Sequence, residues 1–280
     1  MTAGRARPDR RADMALLELA VEAAHGAGEL LLKSFRGPVQ EVETKTTPTD
    51  LVSKADKDSE RWLLDFIATN RPDDGVLAEE GGRSEGASGL RWVVDPLDGT
   101  VNFLFRIPVW CVSIAIEDDH GGVVAVVHDP NRAETFTARR GEGARLNGEQ
   151  LSVSKRSELS TALIGTGFAY DVQRRAAQAA VATKVLTNVR DIRRAGSAAL
   201  DLCAVACRRL DGFYEAYTEE WDRAAGRLIV AEAGGVVSEL PPPTGEGGTT
   251  LVAANPTLHD ELVAIISTIS PKKNGSTSRK

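Results

Sequence analysis

Apolar residues recur at helical spacing near the start of the chain and at shorter spacing farther along. From Met14 to Phe35 the pattern predicts a helix, whose apolar positions are Leu16, Leu17, Ala20, Val21, Ala24, Leu30 and Leu31. Ser53 then precedes a second helical pattern in which Asp56 supplies an acidic first turn, as is typical of a capped helix. We predict disordered polar tails over residues 1–12 and 271–280.

Short apolar segments separated by turn residues follow the two helices and predict a meander of strands. They are Val76–Leu77, Leu90–Val94, Trp110–Ile116, Gly122–Val127 and Glu134–Ala138. Residues 13–160 are therefore expected to place two helices on a largely antiparallel sheet.

Strands alternate with helices in the remainder of the chain. The predicted strands are Ala162–Thr166, Val189–Ile192, Gly212–Tyr217 and Thr250–Ala253, and the predicted helices are Gln173–Leu186, Gly196–Leu210, Trp221–Ala233 and Pro256–Ile266. Pro241–Gly248 has the composition of a surface loop. Residues 161–270 thus form a predicted α/β half, and the fold class is α/β (α+β).

The composition excludes several classes of protein but does not identify the function. The 280 residues carry a net charge of −6, which disfavours nucleic acid as the main partner. Three cysteines at irregular spacing do not predict a disulfide framework. We find no transmembrane stretch and no signal peptide, so we expect a cytoplasmic protein without a membrane partner.

Two carboxylates, Asp95 and Asp98, lie three residues apart directly after a buried strand. We expect that strand to stop at Pro96, because proline has no N–H for the ladder, and Gly99 to allow a tight turn. An ordinary Asp-Gly turn would explain the pair by itself. Crowded carboxylates on a rigid turn are, however, also typical ligands for a hard divalent cation such as Mg²⁺.

The longer motifs add a resemblance. The segment Asp95–Phe103 (DPLDGTVNF), read with Glu79-Glu80 before it and the segment Trp221–Gly226 (WDRAAG) after it, resembles the inositol monophosphatase family of Mg²⁺-dependent phosphatases. The resemblance runs from about Glu18 to Ile266 and implies a layered αβαβα sandwich. It also implies two or three Mg²⁺ ions per site, lithium sensitivity, a metal-activated water and a homodimer.

The resemblance assigns the site residue by residue. Glu79, Asp95 and the carbonyl of Leu97 would hold one Mg²⁺, and Asp95, Asp98 and Asp222 a second. Glu79 and Thr100 would lie beside the attacking water, with Asp56 bonded to Thr100. Glu80 is an alternative to Glu79, and the alternative role of Asp56 is a helix-terminal charge. The remaining assignments are Asp98, Gly99, Thr100, Ser197, Ala198 and Glu215 for substrate, with Lys45 and Arg193 as further candidates.

The expected substrate is a small phosphorylated polyol or sugar, with inositol monophosphate first. Arg223 follows Asp222 where the family usually has a small or apolar residue, and it is a candidate for altering the pocket rim. Alternatives on the same fold are a histidinol phosphatase, a fructose bisphosphatase and a phosphoadenosine phosphatase. An alternative from another class is a regulatory protein built on the phosphatase fold.

Overall fold

Seven α-helices and fifteen β-strands make up the chain where the computed structural model describes it, over residues 10–38, 42–44, 51–245 and 247–267. The helices are α1 (Arg10–Arg36), α2 (Lys54–Asn70), α3 (Thr100–Leu104), α4 (Val172–Leu186), α5 (Ala198–Ala206), α6 (Glu220–Glu232) and α7 (His259–Ser267). The strands are β1 (Val42–Thr44), β2 (Leu51–Ser53), β3 (Gly75–Ala78), β4 (Arg83–Ser84), β5 (Arg91–Asp98), β6 (Cys111–Asp118), β7 (Gly121–Asp129), β8 (Glu134–Arg139), β9 (Gly143–Leu146), β10 (Glu149–Gln150), β11 (Leu163–Thr166), β12 (Asp191–Arg193), β13 (Gly212–Ala216), β14 (Val236–Leu240) and β15 (Thr250–Ala254).

Two larger sheets organise the molecule, beside the small pair β1 and β2. The first has the order β10-β9-β8-β7-β6-β5-β3-β4 and is antiparallel except where β3 runs parallel to β5. The second has the order β12-β11-β13-β15-β14, with β11 parallel to both neighbours and the remaining pairs antiparallel. The predicted meander and the predicted mixed second half are both present.

Alternating side chains divide the first sheet between two helical layers. Trp92 and Val94 of β5 pack with α1 and α2, whereas Val93 packs with α5 and α6 on the opposite face. The second sheet buries its own faces against α5 on one side and against α4 and α7 on the other. The αβαβα sandwich implied by the resemblance is confirmed, and α5 and α6 form its central layer.

Several predicted boundaries are wrong for local reasons. Strand β5 continues through Pro96, because a β-bulge between Asp95 and Asp98 removes the need for an N–H at that position. Helix α1 already begins at Arg10, inside the predicted tail, and the Arg10 side chain forms an ion pair with Glu142. The predicted helix Gly196–Leu210 is shorter, since Ser197 caps α5.

Some elements were missed or cannot be compared. Strand β14 was not predicted, and its residues pair with β15 at the edge of the second sheet. Lys45, the rest of the predicted tails and Glu246 lie outside the described residues. Within the described part of the chain, no helix combines the length and apolar character needed to cross a membrane.

Close packing of α5 on α6 depends on Gly226. A Cβ built on Gly226 would lie 2.6 Å from the Cβ of Leu202, a separation that real side chains do not adopt. The central layer therefore tolerates no side chain at this point unless one of the helices moves.

We expect Gly226→Ala to lower the free energy of unfolding by about 1–3 kcal/mol, although alanine favours a helix more than glycine does. The measurement is urea unfolding followed by circular dichroism. Leu202→Ala should cost less in the Gly226→Ala background than in the wild type, because it removes the clashing Cδ1 and Cγ atoms and retains only the Cβ. Strictly additive losses in the double variant would contradict this packing argument.

Candidate active site

A pocket of about 560 Å³ opens where the ends of the two sheets face each other. Its floor contains acidic residues from several separate elements. The lining includes Glu79, Asp95, Leu97, Asp98, Gly99, Thr100, Arg174, Arg194, Ala198, Glu215, Tyr217 and Asp222. Most of the predicted site residues are therefore brought to one cavity.

The turn that carries Asp95 and Asp98 is held by its own backbone. Asp95 Oδ1 accepts a hydrogen bond from the Leu97 N–H at 3.0 Å, across the bulge. Gly99 has φ of +99°, and a Cβ there would lie 2.9 Å from the Val109 carbonyl oxygen. A glycine is required at this position, since both the backbone conformation and the close approach exclude a side chain.

Asp98 is the best anchored of these carboxylates. Its Oδ2 accepts hydrogen bonds from Ser197 Oγ at 2.6 Å and from the Ala199 N–H at 2.8 Å. Ser197 is 1% exposed and also caps α5 by accepting from the Leu200 N–H. The prediction that the Ser197 hydroxyl binds substrate is corrected, because the side chain is buried and committed to Asp98.

Asp222 reaches the pocket from the first turn of α6. Its Oδ2 accepts a hydrogen bond from the Glu219 N–H at 2.7 Å, in a capping-box arrangement. A negative charge at this helix end is favoured by the helix dipole. Asp222 therefore stabilises the start of α6 and also places its own carboxylate in the pocket lining.

The acidic floor is electrostatically unfavourable without a cation. Burial raises the pKa of Asp95 well above its usual value, and the charges of Glu79, Asp98 and Asp222 raise it further. Burial, followed by the charges of Asp98 and Glu79, raises the pKa of Asp222 in the same way. Oxygen ligands that repel each other in this manner suit a hard divalent cation.

The carboxylate oxygens of the pocket floor have the chemistry that such a cation requires, but they are not yet grouped around one metal position. Among the described residues, no group of three or more His, Cys, Asp or Glu side chains is already arranged to hold a metal ion. Glu79 lines the pocket, whereas Glu80 is not among the lining residues and its N–H donates to the Glu60 carboxylate at 2.7 Å. Glu79 is thus the better placed of the two glutamates.

Asp56 and Thr100 form a buried pair beside the acidic floor. The Thr100 hydroxyl lies 2.9 Å from Asp56 Oδ1, while Asp56 Oδ2 accepts from the N–H and hydroxyl of Ser53. Asp56 is 0% exposed. The carboxylate therefore has two functions that the sequence pattern left as alternatives, since it caps α2 and also bonds to Thr100.

Glu215 and Arg194 form the opposite wall, near Asp201, a residue that the sequence analysis did not select. Burial raises the pKa of Glu215 from 4.5 to about 7, although the nearby Arg194 guanidinium lowers it. Burial, and then the charge of Glu215, raises the pKa of Asp201 to about 8. The apolar spacing of α5 hid Asp201, because an acid within an apolar helical face carries no motif of its own.

Other candidates lie away from the cavity. Arg193 forms an ion pair with Asp191 at 2.5 Å and is not among the lining residues. Arg223 was expected at the rim, but its side chain turns toward Glu220, 2.9 Å away, and toward Glu239. The three cysteines are free, as predicted.

Comparison with known proteins agrees with this geometry. Residues 13–270 match the inositol monophosphatase family. The chain belongs to this family. Members are in general metal-dependent, and the chain is a phosphatase that acts on phosphate monoesters.

Individual relatives include both enzymes and a protein named for another role. An inositol-1-monophosphatase of Mycobacterium leprae is 46% identical over 80% of this chain and 81% of its own length. The Nus factor SuhB of Escherichia coli is 40% identical over 89% of this chain and 94% of its own. A solved extragenic suppressor protein suhB from Bartonella henselae superposes with a TM-score of 0.83, at 36% identity over 93% of this chain and 99% of its own.

The raised pKa of Glu215 predicts a pH-dependent stability. Because its pKa rises from 4.5 to about 7 on folding, its contribution to stability is complete below about pH 4.5 and is lost as the pH rises through 7. In chelator, Glu215→Gln should therefore increase the free energy of unfolding by about 1–3 kcal/mol at pH 8 and by little at pH 4.5.

Thermal unfolding at several pH values provides the measurement for this variant. Glu85→Gln is a matched control, since it removes the same charge from a side chain that is 91% exposed. A gain for Glu215→Gln that is equal at pH 4.5 and pH 8, or equal to that of the control, would contradict the prediction.

Proposed function

We propose that the protein hydrolyses phosphate monoesters of small polyols in a Mg²⁺-dependent reaction, with inositol monophosphate as substrate. The observation that carries the proposal is the convergence of Glu79, Asp95, Asp98 and Asp222 on the pocket that Thr100 also lines. Glycerol phosphates and sugar phosphates would be slower substrates of the same site.

The acidic floor supplies the metal ligands in this proposal. Glu79, Asp95 and the Leu97 carbonyl would hold one ion, and Asp95, Asp98 and Asp222 another, with two or three ions per site. Bound Mg²⁺ would neutralise the phosphate oxygens, lower the pKa of water and stabilise the leaving oxygen. By the family resemblance, Li⁺ would inhibit the reaction, and the protein would be a cytoplasmic homodimer.

Thr100 and Asp56 would accept the proton that the attacking water loses. The Thr100 hydroxyl donates to Asp56 Oδ1, so its own lone pairs remain available to accept a proton from water. Asp56 would take that proton through Thr100, because the carboxylate is fixed by Ser53 and cannot turn away. This arrangement is general-base catalysis through one hydroxyl.

The substrate would lie between the α3 terminus and the Glu215 wall. Gly99 and Thr100 begin α3 and would offer N–H groups to the phosphate. Glu215 and the backbone of Ala198 line the cavity and would accept or donate hydrogen bonds to ring hydroxyls. A site built to bond hydroxyls rejects analogues that lack them, since its own polar groups are then unpaired.

A non-catalytic role is the second candidate, because the 40%-identical Escherichia coli relative is named Nus factor SuhB. The same assays separate the two roles. Absence of turnover with any phosphate monoester in Mg²⁺ would favour the regulatory candidate over the enzyme.

The first test removes one ligand charge. Asp98→Asn keeps the side-chain shape and an oxygen that can accept from Ser197, so the fold should survive. We expect turnover in Mg²⁺ to fall by about 100-fold or more, because metal charge contributes several kcal/mol to the transition state. Wild-type protein in chelator should be equally inactive.

Matched measurements control this variant. Asp119→Asn removes a charge from an exposed residue and should keep wild-type turnover. A folded Asp98→Asn protein with turnover within a few fold of wild type, or full wild-type activity after exhaustive metal removal, would refute the metal assignment.

A second test concerns the substrate. Glu215→Ala should reduce kcat/KM for inositol 1-phosphate about tenfold more than for p-nitrophenyl phosphate, which has no hydroxyls to bond. Phosphate release from both esters is the measurement. Equal losses on the two esters would assign Glu215 a structural role. A strong preference of the wild type for histidinol phosphate would move the substrate to that alternative.

A further inference from the structure

The pocket has a cationic residue that the proposed chemistry does not use. Within the described residues, its lining contains two cationic side chains, Arg174 and Arg194. Arg194 lies near Glu215 and Asp201, and its charge lowers the pKa of both carboxyl groups against the larger effect of burial, so acidic groups already neighbour this guanidinium. Arg174 is on the first turn of α4, on another part of the lining.

Arg174 has no carboxylate partner where the structure describes the chain. Its backbone N–H donates to Asp171 at 2.8 Å, but the guanidinium instead stacks on the Tyr217 ring, with Cζ 4.7 Å from the ring centroid. Stacking uses the flat face of a guanidinium and leaves its N–H edges available. Such edges match the oxygens of a phosphate or carboxylate, which they bind in pairs.

Tyr217 is held in an uncommon conformation that presents its ring to Arg174. Its φ is +69°, a left-handed value that is uncommon for a residue with a side chain. The Tyr217 N–H donates to the Thr249 carbonyl at 2.8 Å, and its hydroxyl lies 2.7 Å from Thr244 Oγ1. Strained residues of this kind cluster at functional sites, where surrounding bonds enforce them.

Gly247 and Gly248 leave room for the stacked side chains of Arg174 and Tyr217. A Cβ built on Gly247 would lie 3.3 Å from Arg174 Nη2, and one built on Gly248 would lie 3.3 Å from Tyr217 Cδ1. Larger residues at either glycine would press on the stacked side chains. The loop, the strained tyrosine and the helix therefore fix one guanidinium at the pocket lining.

We propose that Arg174, positioned by Tyr217, is a specificity-determining residue that binds a second anionic group of the substrate. The favoured substrates are then polyol or sugar phosphates that carry a further phosphate or carboxylate besides the ester that is hydrolysed. The inference rests on the proposed function, because it assigns the scissile phosphate to the acidic floor. Arg174 itself takes no part in breaking the bond.

The test compares matched pairs of esters with the full-length protein in Mg²⁺. Inositol 1,4-bisphosphate and inositol 1-phosphate differ by one phosphate, and glucuronate 1-phosphate and glucose 1-phosphate differ by one carboxylate. The wild type should have the lower KM for the doubly anionic member of at least one pair, and the two pairs distinguish phosphate from carboxylate as the second group. Arg174→Gln should raise that KM about tenfold or more, while kcat and the KM of the singly anionic member stay within about twofold.

Two further variants control for charge and folding. Arg174→Lys keeps the charge but loses the planar edge, so its KM should be intermediate. Arg175→Gln removes a neighbouring charge from a side chain that bonds to the Tyr170 carbonyl at 3.0 Å and does not line the pocket, and it should behave as wild type. Selective loss in Arg174→Gln with a normal unfolding temperature would support the inference.

Other outcomes overturn it. Equal KM changes on both members of each pair would mean that Arg174 acts on the common phosphate or on the fold. An Arg174→Gln variant with unchanged KM for every ester, or a wild type that turns over none of the four esters, would also overturn the inference. Turnover of inositol 1-phosphate without discrimination leaves the proposed function intact. Discrimination in the glucose pair without turnover of inositol 1-phosphate would instead retain the inference and remove inositol monophosphate as the substrate.

Discussion

The hydrogen bonds that α5 makes to Asp98 join the two halves of the molecule. Asp98 ends β5 of the first sheet, whereas Ser197 and Ala199 belong to the start of α5, which packs on the second sheet. The carboxylate satisfies the N-terminal donors of that helix at the same time as it lines the pocket. The relative placement of the two pocket walls therefore depends on a contact between residues about 100 positions apart in the chain.

Burying several carboxylates in the pocket destabilises the folded protein, and hydrogen bonds from the surrounding backbone offset part of this effect. Burial raises the pKa values of Asp95, Asp98 and Asp222, so a metal-free site favours protonated carboxyl groups over charged ones. Each carboxylate is also tied to a backbone N–H, through the Leu97, Ala199 or Glu219 amide. These bonds restrict the movement of the three side chains, although within the described residues no such group is already arranged to hold a metal ion.

Much of the architecture was predictable because local physics dominates it. Ser53 and Asp56 cap α2 as their positions in the sequence suggest, and the near-continuous apolar runs of β5, β6 and β7 are typical of strands buried on both faces. Predictions failed where a residue departs from its ordinary preference. Pro96 does not end β5, since the bulge removes the N–H requirement, and Val236–Leu240 forms an edge strand whose side chains are not deeply buried.

The sequence by itself determined the fold class and the family, since long motifs such as DPLDGT combine turn residues with two closely spaced carboxylates. Only the tertiary structure decided which polar residues face the pocket. The side chains of Ser197 and Arg223 make internal contacts with Asp98 and Glu220. Arg174 and Arg194 line the pocket, and Asp201 lies near Glu215. The reason is physical: the direction of an isolated polar side chain depends on long-range partners, which no local periodicity encodes.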